Sequence, residues 1–177
     1  MRLLLVFFFL YSGLYLHSEN LLLNCSFETV QEEASHLPES WEAYQRKTLE
    51  THHRLDRSLV LDGQASACLS NEVPALKSAV VMWMQRQLGG SFQKVPVGSE
   101  VEFSVYARSE EEGSVCRIYF ESLGSGTFVS PATKLRPGVW QKVSVRFTKP
   151  DKSFTSAYAC LQLLGNGTMF FDKAYLG

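Results

Sequence analysis

An all-β fold, a two-sheet antiparallel sandwich of jelly-roll type, is predicted by three features of the chain. Apolar and polar residues alternate at period two in several separate stretches, the signature of half-buried strands. Clusters of Gly, Pro, Asn and Asp punctuate them as turns. No convincing long helical pattern appears anywhere. About nine short strands joined by turns suit a sandwich or jelly roll.

Residues 20–26 open the domain as a short strand, and polar residues 29–40, with Glu32, Glu33 and Pro38, form a loop. Trp41 to Tyr44 starts the next extended piece. Residues 48–57 are polar and carry His52 and His53. Residues 59–69 alternate weakly around an Asp62-Gly63 turn, and residues 73–79 form a loop or a helical turn. Residues 80–88 follow as a strand, with Val80, Met82, Met84 and Leu88 on one face and Val81, Trp83, Gln85 and Gln87 on the other. Met, Gln and Leu favour helix there on propensity, but the β-branched start and the flanks favour strand.

After the Pro96-Val97-Gly98 turn comes the clearest strand, in which Val101, Phe103, Val105 and Ala107 alternate with Glu102, Ser104, Tyr106 and Arg108. Past a turn at Glu110-Glu111-Glu112-Gly113, Cys116, Ile118 and Phe120 alternate with Arg117, Tyr119 and Glu121. Residues 123–135 are a Gly/Ser/Thr/Pro loop. Val143, Val145 and Phe147 mark another strand, and Ala157, Ala159, Leu161 and Leu163 alternate with Tyr158, Cys160 and Gln162 in the next. The last strand carries Phe170, Ala174 and Leu176 on one side. Asp172 falls on that same side and needs a partner, since a buried unpaired charge is costly.

With 177 residues the chain is expected to form one domain. Its net charge of −1 offers no basic excess for nucleic acid and no charged tail. Met1-Arg2 followed by the apolar run from Leu3 to Tyr11 reads as a secretory signal over residues 1–18. The run is shorter than the roughly 20 residues a membrane span needs, which disfavours an uncleaved anchor. The mature domain is then 19–177, without a membrane span, secreted to the extracellular space, the periplasm or the cell surface. Four cysteines, Cys25, Cys68, Cys116 and Cys160, in an exported chain predict two disulfides, with the pairing open. Asn24-Cys25-Ser26 and Asn166-Gly167-Thr168 match the N-glycosylation sequon.

The order and spacing of several short motifs resemble carbohydrate-binding modules of the family 4/9 type, within the galactose-binding-like superfamily. The motifs run from Asn20 to Glu28, from Pro38 to Trp41, from Gly63 to Ser66, around Gln85 and Gln87, from Val97 to Arg108, from Gly138 to Val143 with the Phe147 strand end, and from Gly167 to Asp172. The opening Cys25-Ser26-Phe27-Glu28 also resembles the start of MAM domains, but no second cysteine follows before Cys68. The family resemblance implies a structural calcium where the opening Phe-Glu meets the closing Asp, which places Glu28 and Asp172 as ligands. A hard cation at carboxylate and carbonyl oxygens fits that chemistry. Lys173 stands where the family often has a second acid. The alternative is an Asp172 that caps a turn or accepts backbone N–H bonds. A jelly roll of this order would also make the strands of Cys116 and Cys160 neighbours, so that these two pair and Cys25 joins Cys68; the opposite alternation of Cys116 and Cys160 argues against it.

The resemblance further implies a polysaccharide or glycan partner, bound where aromatic rings stack on sugars and polar groups meet hydroxyls. By alternation, Trp83, Gln85, Tyr106 and Arg108 form an outward row. Tyr119, Gln162, Arg117 and Tyr158 extend it, and Tyr44 and Trp41 supply a wall. Packing is the competing role, above all for Trp41 and Trp140 at the ends of the sandwich. No enzyme signature emerges: Glu110, Glu111 and Glu112 form a turn, His52 and His53 lack spaced partners, and Gly124-Ser125-Gly126 lacks the strand–turn–helix context of a nucleophile elbow. The expectation is a non-catalytic glycan-binding module, alone or within a larger glycan-active assembly. An extracellular protein-interaction or structural domain is the alternative.

Overall fold

Two antiparallel sheets form the sandwich. The structure, a computed structural model, describes residues 19–32, 36–46, 51–72, 80–124, 126–153 and 156–177. Its strands are β1 (Glu42–Arg46), β2 (Thr51–Asp56), β3 (Ser66–Asn71), β4 (Val80–Gln85), β5 (Glu100–Arg108), β6 (Val115–Ser122), β7 (Gly126–Val129), β8 (Thr133–Lys134), β9 (Gln141–Thr148), β10 (Ala157–Leu164) and β11 (Gly167–Leu176), with one short helix, α1 (Gly89–Gln93). One sheet runs β1-β4-β10-β6-β7, with β8 also on β6; the other runs β2-β3-β11-β5-β9. The leader expected over residues 1–18 and the loop expected over 73–79 lie outside the described residues. No helix among the described residues is long and apolar enough to cross a membrane.

The core between the sheets follows the alternation for β5, β6 and β10. Val101, Phe103, Val105 and Ala107 meet Cys116, Ile118, Phe120, Ala159, Leu161 and Leu163 there. Phe120 and Phe128 both stack on Phe147, with ring centroids 5.7 and 3.9 Å away. Trp41 closes one end, fully buried, with its indole N–H donating to the Asn24 carbonyl at 3.2 Å; Trp140 is only half-buried.

Several expectations are corrected. Residues 20–26 are not a strand. Asn24 and Phe27 take left-handed backbone angles of 44° and 62° that no strand tolerates. The segment is instead tied to β11 by Asn20, whose Oδ1 accepts the Leu22 and Leu176 N–H groups and whose Nδ2 donates to the Ala174 carbonyl. The polar stretch with His52 and His53 is the edge strand β2, and the 123–135 loop contains β7 and β8. Helix α1 follows β4 where the sequence offers two glycines.

The closing strand breaks phase. Met169 and Phe171 face the core, then a bulge between Asp172 and Tyr175, with Lys173 at φ 49°, shifts the alternation so that Ala174 and Leu176 face it too. Asp172 therefore stands with Phe170 on the outer face and not on the apolar side. It is fully buried there and ties down the loop before β3: its Oδ2 accepts the Leu61 and Asp62 N–H groups at 2.9 and 3.0 Å and its Oδ1 the Lys173 N–H at 2.7 Å. Glu28 holds the same loop further along, accepting from the Gln64 and Ala65 N–H groups.

The four cysteines are free thiols. Cys116 points into the core, whereas Cys160 lies on the outer face of the same sheet, so the sheet itself separates them.

Candidate functional site

The outer face of the β1-β4-β10-β6-β7 sheet carries the one apolar cluster outside the main core among the described residues. Antiparallel register sets its rows. Tyr44, Met82, Gln162 and Arg117 lie across β1, β4, β10 and β6; Glu42, Met84, Cys160 and Tyr119 form the next row; Tyr158 and Glu121 pair beyond it, beside Arg86 at the end of β4. Met82, Met84 and Cys160 are 3%, 6% and 1% exposed and form a floor against which Tyr119 and Tyr158 pack. Such a floor on the solvent side of a sheet is unusual, because strands usually put polar residues outward.

Tyr44, Arg86, Tyr119, Glu121 and Tyr158 surround the floor, enclosing a groove of about 380 Å³. Its walls are held in place by polar contacts. The Tyr119 hydroxyl donates to Met82 Sδ at 3.1 Å. Burial, together with the neighbouring Cys160, pushes its phenol well above the usual range, so the ring stays neutral. Burial likewise pushes the Cys160 thiol up to about 12, leaving it an inert part of the floor. Arg117 clamps Gln162 Oε1 with Nε and Nη2 at 3.0 and 2.8 Å. Arg86 donates from Nε to Glu42 Oε2 at 2.7 Å and lies over the Tyr158 ring, 5.7 Å from its centroid. Flat rings, an apolar base and fixed polar groups are what a pyranose chain requires, since each sugar has apolar faces and a hydroxyl rim.

The six sequence-predicted binding residues do not form one row. Trp83 is fully buried in the core, its phase opposite to the expected one. Gln85 is buried as well and bonds both the N–H and the carbonyl of Leu23, fastening the N-terminal segment to the sheet. Tyr106 and Arg108 sit on β5 in the other sheet, where Arg108 pairs with Glu110 at 2.6 Å. Tyr119 and Gln162 do belong to the groove face, with Tyr44, Tyr158 and Arg117. Sequence reasoning missed Met82, Met84, Arg86, Glu121 and Cys160. For the methionines the missed signal was bulk: a tryptophan competes with two methionines for the core, and the larger ring takes it.

Every oxygen of the Glu28 and Asp172 carboxylates accepts at least one backbone N–H group, the arrangement expected of the alternative to a calcium site. No group of three metal-ligating acids, histidines or cysteines occurs among the described residues.

The fold is that of carbohydrate-binding-module jelly rolls. Similar structures include the family 61 module TmCBM61, solved in complex with β-1,4-galactotriose, at a TM-score of 0.63 and 15% identity, covering 90% of this chain and 99% of that one. The CBM22-1 xylan-binding domain of Xyn10C from Paenibacillus barcinonensis matches at 0.59 and 14%, covering 85% and 89%. The enzymatically active domain of tailspike protein 4 from bacteriophage CBA120 matches at 0.60 and 15% over 89% of this chain, which spans only 21% of the tailspike chain. No protein-family model matches the sequence, and no curated protein matches it.

Proposed function

We propose that this protein is a non-catalytic module, exported after removal of a leader over residues 1–18, that binds a glycan in the groove on the β1-β4-β10-β6-β7 sheet. The observation that carries the reading is the Met82-Met84-Cys160 floor ringed by three tyrosines on a face that should otherwise be polar. The neighbours in fold include modules whose names specify galactotriose and xylan, which supports a polysaccharide partner. A family 4/9 assignment rests on sequence motifs alone.

A hydrolytic role fits poorly. Glu121 is the one carboxylate among the described residues that line the groove, since Glu42 in the neighbouring row does not reach it, whereas glycosidases work with a pair of carboxyl groups. Glu42 is also engaged by Arg86.

Affinity electrophoresis in gels containing xylan or β-1,4-galactan tests the proposal. Retardation that disappears in Tyr119→Ala and Tyr158→Ala, with unchanged circular dichroism, supports it. Binding that survives both substitutions, or no retardation by any polysaccharide, overturns it; in the latter case a protein partner becomes the better reading. N-terminal sequencing of the exported protein checks the leader.

A further inference from the structure

The groove does not end at the sheet. Arg86 lines it on one side and on the other lines a second compartment of about 290 Å³, bounded by Leu23, Ser40, Glu42, Gln87 and Ser91 among others. The Arg86–Glu42 ion pair is the sill between the two. Beyond it, Leu21, Leu23 and Ser91 are shared with a third space of about 620 Å³ beside the N-terminal segment and α1. The three spaces are therefore consecutive, running off the sheet across one end of the sandwich.

The second compartment has the composition of a sugar subsite. Leu23 is 64% exposed and offers an apolar plate, while Ser40, Gln87 and Ser91 present short polar groups around it. Two of the five non-glycine residues with left-handed backbone among the described residues, Ser40 at φ 66° and Gln87 at φ 64°, line this one compartment. Strained backbone persists only where the surroundings enforce it, and it gathers at ligand sites. Here the enforcement is visible: Gln85 pins Leu23 through two bonds of 2.8 and 2.7 Å immediately before Gln87. Arg86 gives one guanidinium N–H to Glu42, and its fork carries further donors.

We propose that a linear glycan bound on the sheet continues over the Arg86–Glu42 sill, and that the Leu23/Ser40/Gln87/Ser91 compartment holds a further sugar residue of the same chain. The inference rests on the glycan reading above and adds a preference for chain length, set away from the tyrosines. Short ligands fill the groove alone; longer ones gain the second compartment.

The test is calorimetric titration of the full protein with xylo- and β-1,4-galacto-oligosaccharides from disaccharide to hexasaccharide, against Ser91→Trp. Ser91 is exposed on α1, so the indole fills the compartment without entering the core. The expected result is an affinity gain of about tenfold for the longer members, lost in Ser91→Trp while the short ligands bind as before. Affinity independent of length overturns the extension and leaves the groove standing. Equal losses for short and long ligands in Ser91→Trp, with an unchanged melting temperature, overturn it too. No binding of any oligosaccharide overturns both readings.

Discussion

His53 joins the two sheets through Trp83. Its ring stands edge-on to the indole, 4.9 Å between centroids at 87°, and its Nε2 donates to the Met82 carbonyl at 3.1 Å. The histidine belongs to β2, the edge of one sheet, and the tryptophan to β4, the second strand of the other, so this contact links the two sheets. Burial lowers the His53 pKa below its ordinary value, outweighing the bond to Met82, and the nearby His52 adds to the shift.

A pH dependence follows. The unfolded chain takes up the proton on this histidine near pH 6.5, while the folded chain resists it. The unfolded state thus binds more protons in that window, and stability falls as pH drops from about 6.5 towards the lower folded value. The window is separate from that of Asp56 and Glu102. Burial pulls Asp56 upward, but the hydrogen bonds from Ser58, Leu59 and Arg54 together outweigh it and hold its carboxyl down, and Lys142 lowers that of Glu102, so their contributions are lost only below the ordinary carboxylate range. Asp172 acts in the opposite sense, since burial raises it. Melting temperatures measured from pH 8 to 5 should decline for the wild type and flatten over that range in His53→Gln. An equal decline in both would remove His53 as the cause.

Asp172 organises the loop over β11, and its loss is expected to be costly without any metal. Asp172→Ala leaves the Leu61, Asp62 and Lys173 N–H groups without their acceptor, and a buried unsatisfied group costs about 1–3 kcal/mol. A loss of about 3 kcal/mol by urea denaturation is the expected outcome. Chelation by EDTA should leave the wild-type melting temperature unchanged, because the backbone N–H groups already satisfy the carboxylate. A drop on chelation, reversed by calcium, would restore the metal reading.

The sequence showed the sandwich because most strands have one face against the core, so their alternation has a readable phase. β5, β6 and β10 behave in this way, and the alternation puts Tyr119, Tyr158 and Gln162 on the outer face, where the structure has them. The phase is illegible where both faces are covered. All five described side chains of β4 are buried, because Trp83 fills the core while Met82 and Met84 floor the groove. Asp172 was misplaced for another reason: one bulge residue, Lys173, shifts the parity of a strand, and a lysine gives no warning of left-handed geometry. The distribution of site residues between sheets depended on long-range strand order. Tyr106 and Trp83 share a local pattern but end on different sheets.

The thiols offer a chemical check on the same parity argument. Cys116 and Cys160 face opposite sides of adjacent strands, and burial raises both to about 12. A non-reducing peptide map should contain no Cys116–Cys160 linkage. In the native protein both thiols should react with an aromatic disulfide reagent far more slowly than after denaturation. A mapped linkage between them would require one strand to be turned over, and would overturn the assignment of the groove floor.

Trp83 and Tyr158 separate packing from recognition most directly. Each is a large aromatic on a strand of the same sheet, yet one fills the core and the other packs beside the floor of the groove. Trp83→Ala removes a fully buried indole and the partner of His53, so a loss of about 3–5 kcal/mol is expected, with a lowered melting temperature. Tyr158→Ala opens a half-buried surface site and takes away the ring beneath Arg86. Its expected cost is about 1 kcal/mol, while retardation in polysaccharide gels is lost. The reverse pattern, with Trp83→Ala stable but unable to bind and Tyr158→Ala unfolded but otherwise competent, would place the recognition face on the other side of β4.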